Sequence, residues 1–295
     1  MANFLSSISD PNDIITAIDA SVRFPESLDI FVEKYKADID LFKSIALSSK
    51  SSDELLSKIR DKSFDKDERM SLLKIFRRCV SPVLDTEMAK KITKVTTESL
   101  IKSIGHTFKD IALVKKQVEA LNTSQISALA CLLGEYDSRG TLGYLLTNEF
   151  FDWFERTFSS QYAISGPRGA GRDIELSSIF PSFKGDYPCD FVIRNISTNK
   201  VCAVGFCRYD STRGGAQSDD RTGGNSDKVG KAKVFCQQSG EKFKLIFLSD
   251  GPGMAHKDTW HESCKLDGLW DGNVLVTTLK TAPLRITSQW LDSPA

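Results

Sequence analysis

The sequence contains no apolar run near the ~20 residues that a helix needs to cross a bilayer. Its first residues, MANFLSSISDPND, have neither the basic start nor the apolar stretch of a secretory signal. Helical membrane insertion is therefore not expected, and a cytoplasmic location is. Charge of one sign is also missing, since 39 Lys plus Arg meet 39 Asp plus Glu. No global field draws the chain to nucleic acid or anionic lipid, so any such affinity has to come from a local patch. The 7 cysteines are odd in number and include no CxxC pair. They sit mostly in apolar stretches, the pattern of reduced thiols packed in cores and not of a disulfide frame. Histidine is scarce: His106, His256 and His261 show no metal spacing, and the HESC at 261–264 has no second pair to complete a zinc site. Neither GxGxxG nor GxxxxGK followed by Ser or Thr occurs, which argues against a phosphate-cradling nucleotide site. No Ser-His-Asp or Cys-His arrangement can be placed.

What is present is enough for a core. With 295 residues and 40% hydrophobic content, the chain can form one large domain or two modest ones. Up to about residue 158 it reads as successive helices, with apolar residues three and four apart. PESLDIFVEKYKADIDLFKSIAL sets Leu28, Phe31, Tyr35, Ile39 and Phe42 on one stripe, and Ser51 and Glu54 have the spacing of a capping box. Further helices are predicted near 67–80, 85–103, 108–121 and 124–134. The last helical segment, TLGYLLTNEFFDWFERTF, is aromatic enough (Phe150, Phe151, Trp153, Phe154, Phe158) to be buried against a second unit.

Gly and Pro become frequent after SSQYAISGPRGAGRD and helical periodicity stops, which places a boundary near residue 160. A mostly helical region over 1–160 then precedes a sheet-containing core over 161–295. DFVIRN and VCAVGFCRY form two short β-runs joined by ISTNK, a predicted hairpin. KFKLIFLSD is a third strand, closed by the turn DGPG, and NVLVTTLK a fourth. NSDKVGKAKVFCQQSGE between the second and third has helical spacing, the crossover that would set the third strand parallel to the second. The predicted class is α+β with a mixed sheet.

Chemistry is expected where Pro188, Cys189 and Asp190 open the first hairpin strand. A carboxylate there, joined by a group from the partner strand, can hold a divalent metal of the kind that serves phosphodiester hydrolysis. The order YPCDFVIRN, turn, CAVGFCRYDSTRGGAQSDDR, helix, LIFLSDGPG resembles the catalytic core of type II restriction endonucleases of the PD-(D/E)xK superfamily, over roughly residues 165–280. The resemblance implies Mg2+, with Mn2+ as a substitute, held by Asp190. It also implies a Glu-x-Lys motif on the next strand, where this chain has Gly205 and Cys207. Arg208 and Asp210, two residues apart on a continuing strand, are one replacement pair, and Glu175 is a further candidate carboxylate. The expected catalytic set is therefore Asp190, Asp210, Arg208 and Glu175, with Asp190, Asp210 and Glu175 on the metal.

Arg213, Gln217, Arg221 and Asn225, interspersed with Gly214, Gly215, Gly223 and Gly224, read as a loop in which glycine lets the backbone approach a partner. Arg, Gln and Asn are also the side chains that grip base edges bidentately. GPRGAGR adds Arg168 and Arg172 as phosphate contacts. The expected activity is Mg2+-dependent, site-specific cleavage of duplex DNA by a homodimer, since two-fold symmetry matches a palindrome. Two alternatives are a sequence-selective DNA-binding protein without cleavage, prompted by Gly205 and Cys207, and an interaction protein whose charged loop meets a protein partner.

Overall fold

The computed structural model describes residues 3–18, 24–135, 137, 141–169, 171–211 and 217–294, with the backbone alone described over 217–223. The chain divides into two compact units, one of Ser21–Ser138 and the other of Met1–Ala20 together with Arg139–Ala295. No helix among the described residues is long and apolar enough to cross a membrane.

The first unit is helical: α1 (Glu26–Ser48), α2 (Ser52–Ile59), α3 (Lys66–Cys79), α4 (Thr86–Ala89), α5 (Thr97–Ile104), α6 (Ile111–Glu119) and α7 (Thr123–Gly134). On α1, Tyr35, Ile39 and Phe42 face a core shared with Leu72 and Phe76 of α3 and Leu129 and Leu133 of α7. Ser51 caps α2 by accepting from Glu54 N at 3.0 Å, whereas the Glu54 carboxylate takes the N–H of Lys50, one residue before the cap. The single helix predicted over 85–103 is two short ones. β-Branched Ile92, Thr93, Val95 and Thr96 interrupt it, and Thr96 then caps α5 through Ser99 N.

In the second unit, α8 (Thr141–Phe158) leads to β1 (Tyr162–Ser165), β2 (Ile174–Glu175), α9 (Leu176–Ile179), β3 (Pro188–Cys189), β4 (Phe191–Asn195) and β5 (Val201–Tyr209). There follow α10 (Gln217–Ser239), β6 (Lys244–Asp250), α11 (Lys257–Leu266), a one-turn α12 (Leu269–Gly272), β7 (Val274–Thr277), α13 (Ala282–Arg285) and α14 (Ser288–Asp292). A five-stranded mixed sheet runs β1-β4-β5-β6-β7, and β2 and β3 form a small separate pair. β4 and β5 are the expected antiparallel hairpin, α10 is the crossover, and β6 and β7 continue in parallel. This is the α+β arrangement anticipated from the apolar runs.

Both sheet faces are covered, which is why β5 and β6 are apolar along most of their length and do not alternate. One face packs Val192, Val204, Phe206, Leu245 and Phe247 beneath Tyr187 and the α10 residues Val229, Ala232 and Phe235. The other packs Phe191, Ile193, Ala203, Ile246 and Leu248 against Phe150, Phe151, Phe154 and Phe158 of α8. The aromatic stripe of α8 thus belongs to the sheet unit, and the compact units part near residue 139, not 160.

Candidate functional site

The site grows from a bend at Asp190, between β3 and β4. On one side, β2 and β3 pair Ile174 with Cys189 and Glu175 with Pro188, so that Asp173, just before β2, and Asp190, just after β3, flank the same end of this pair, and the Asp173 charge acts on Asp190. On the other side, Asp190 N donates to Gly205 O at 2.9 Å and the Asp190 Oδ2 accepts from Cys207 N at 2.8 Å. The aspartate therefore straddles Phe206. Lys228 of α10 completes the row, its Nζ 3.7 Å from the Phe206 ring centroid. Asp190 thus lies beside an aromatic ring with an ammonium above it, and the Asp173 charge acts on both charged groups.

Close approach at this bend demands glycine at one point. A Cβ on Gly166, just beyond β1, would lie 2.1 Å from Asp190 O. The charges sense one another accordingly. Burial pushes the Asp190 carboxyl above its ordinary range and Asp173 adds to that, while the Cys207 N–H and Lys228 pull it back. Burial lowers the Lys228 ammonium, against the opposing pull of Asp190, Cys189 and Asp173. Tyr187 fixes the helix beside the site by donating its hydroxyl to Lys228 O at 3.0 Å.

Gly205 and Cys207, where the resemblance implied Glu and Lys, face the opposite side of the sheet. A Cβ on Gly205 would sit 1.9 Å from the Phe191 ring. Cys207 packs with the cluster on α8, and burial there drives its thiol pKa up. Adjacent strand residues point to opposite faces, so the residues of β5 that share a face with Asp190 are Phe206 and Arg208.

The expected three-carboxylate metal set is not assembled. Asp210 lies three residues beyond Cys207, about 10 Å along the strand. Its Oδ1 accepts from Arg208 Nε at 2.7 Å, and its backbone is tied to Asp250 O and Gly253 N. Arg208 and Asp210 thus satisfy each other and do not replace Glu-x-Lys at Asp190. Glu175, opposite Pro188, accepts from Tyr187 N at 3.1 Å. Among the described residues no three His, Cys, Asp or Glu side chains form a metal-holding group.

The presumed DNA-contacting loop is corrected in part. From Gln217 onward the backbone is α10, so Gln217, Arg221 and Asn225 lie on a helix. The side chains of Gln217 and Arg221, and Arg213 altogether, lie outside the described residues, and Asn225 is half-exposed. Arg168 is an unsuitable phosphate contact as it stands, because its guanidinium pairs with Asp152 and, at 2.6 Å, with Glu155 of α8. Arg172 is exposed next to Asp173 and has no partner among the described residues. All 7 cysteines are free, Cys189 buried and the others half-buried.

Sequence reasoning missed Asp173 and Lys228. Lys228 left a trace, a lysine standing at the edge of the α10 stripe that buries Val229, Ala232 and Phe235. Asp173 left none, because its role depends on the pairing of two-residue strands. Neither family models nor curated proteins nor solved structures yield a match to the chain.

Proposed function

We propose that the chain is a Mg2+-dependent endonuclease that cleaves duplex DNA at a specific site by phosphodiester hydrolysis, in the manner of type II restriction enzymes. The observation that carries this reading is the Asp173–Asp190 pair at the head of the hairpin strand. Asp190 is partly desolvated and the exposed Asp173 carboxylate repels it, and a divalent cation is a group that relieves the repulsion. Asp190 has one oxygen committed to Cys207 N and no partner for the other among the described residues. The lack of a third carboxylate fits magnesium, which commonly uses one or two and completes its shell with water and phosphate oxygens.

Asp190 and Asp173 would hold the ion, whose chemistry is to lower the pKa of a water and neutralise charge on the phosphate. The Cys207 N–H orients the Asp190 carboxylate, and Arg172 offers a guanidinium to a neighbouring phosphate. The alternative, a sequence-selective DNA-binding protein without cleavage, was prompted by Gly205 and Cys207 and would give selective binding without fragments in any divalent metal. A homodimer is part of the proposal, since two copies would match a palindromic site. The test is incubation of mixed long duplex DNAs with and without Mg2+. Discrete fragments are expected from the wild-type chain with metal, and a rate at least ~100-fold lower from Asp190→Asn. Equal fragments from the variant would remove Asp190 from the reaction.

A further inference from the structure

We infer that Lys228 is the cationic catalytic residue of this site, delivered by the crossover helix and not by the strand that follows Asp190. The inference rests on the nuclease reading above. Position 207 cannot present a cation to Asp190, because its side chain enters the α8 face of the sheet. Position 206 is filled by an aromatic ring, and the charge of Arg208 is taken up by Asp210 at 2.6 Å. The β5 strand therefore supplies no free cation beside the carboxylate pair.

Lys228 does. Several other cations of this unit are held by carboxylates: Lys231 by Asp227 at 2.8 Å, Arg285 by Asp267 at 2.7 Å, and Arg168 by two partners. Lys228 is half-buried, yet among the described residues its ammonium makes no hydrogen bond or ion pair within bonding distance. Its contact is with the face of Phe206, which holds the charge electrostatically without using its three N–H donors. The backbone that carries it is anchored by the Tyr187 bond to the Lys228 carbonyl and by burial of neighbouring Val229. An ammonium over the Phe206 ring, beside Asp190 and without a carboxylate partner among the described residues, is placed to meet the charge that gathers on the non-bridging oxygens of an attacked phosphate. The role is electrostatic: water adds to phosphorus and gives a proton to solvent, the bond to the leaving sugar oxygen breaks and that oxygen takes a proton from solvent, and Lys228 keeps its protons throughout.

The experiment pairs two readouts on the full chain: binding of Mn2+ alone, and single-turnover cleavage of mixed long duplex DNA. Lys228→Met keeps the stem over Phe206 and removes the charge. It is expected to slow cleavage ~100-fold or more while binding Mn2+ as tightly as wild type or tighter, because a competing cation is gone. Lys228→Arg, which restores charge in another shape, is expected to recover part of the rate. Asp190→Asn is expected to lose both Mn2+ binding and cleavage. Cleavage by Lys228→Met at the wild-type rate would overturn the assignment of Lys228 and leave the nuclease reading standing. Loss of Mn2+ binding in Lys228→Met would reduce the residue to a structural one. Absence of cleavage by the wild-type chain would overturn both.

Discussion

Gly205 shows how one residue's identity can mislead when its face is unknown. Its hydrogen faces the Phe191 ring, so even alanine meets that ring. Gly205→Ala is expected to lower unfolding stability by about 1–3 kcal/mol, the cost of overpacking a filled core. Part of that should return in the double variant with Phe191→Leu, read by denaturant melts as a coupling between contacting residues. A glutamate at 205 would enter the same core and never reach Asp190.

Lys244 makes a second test at this scale. It is 1% exposed and bonds to Trp290 O and Ser293 Oγ without a carboxylate, and burial brings its pKa from 10.5 down to about 8. The unfolded chain keeps this proton to the ordinary lysine range, whereas the folded chain releases it from about 8. Between those values the unfolded state binds more protons, so this residue makes stability rise with pH, by on the order of 3 kcal/mol in all. The thiols of Cys79, Cys189 and Cys207, whose pKa values desolvation raises, tilt stability the other way. The checkable quantity is therefore a difference. Wild type minus Lys244→Met stability should climb from pH 8 to 10.5, and a flat difference would show that Lys244 is solvated.

Among the elements, β4, β5, β6 and β7 were legible because strands buried on both faces leave uninterrupted apolar runs. β1, β2 and β3 were not, since two to four residues carry no period, and their pairing decides which charges meet. The start of α10 was hidden by QSDDRTGGN, whose glycines oppose a helix by ~1 kcal/mol each and read as a loop. For the same reason Asp190 could be picked out of the sequence, while its partners Asp173 and Lys228 could not. The link between β3 and α10 is the Tyr187 hydroxyl on Lys228 O. Tyr187→Phe keeps the ring against Phe183 and Phe206 but frees the helix at that point. On the nuclease reading kcat should fall several-fold with KM and Mn2+ binding unchanged, and Lys228→Met should abolish the sensitivity. An equal effect in both backgrounds would mean that Tyr187 acts elsewhere.

At the scale of the whole molecule the helical unit is an insertion. The N-terminal segment belongs to the sheet unit, where two buried carboxylates hold it. Asp250, fully buried, accepts from Thr16 N, Gly251 N and Leu279 N, each at 2.8 Å. Asp267 accepts from Leu5 N at 3.2 Å and Val276 N at 3.0 Å and pairs with Arg285 at 2.7 Å. Removing the chain before residue 139 would take away one N–H from each of these charges and the Leu5 side chain from the core. Hydrogen bonds to a charged group contribute about 1.5–3 kcal/mol apiece, so that truncation is expected to cost several kcal/mol. Replacing 21–138 with a long Gly/Ser linker keeps both bonds and should melt above the chain begun at residue 139. A cut at 160 removes α8 as well and bares Phe191, Ile193, Ile246 and Leu248, a face that should drive aggregation. Equal solubility and melting of the chains begun at 139 and at 160 would show that α8 is dispensable to the sheet, against the packing described above.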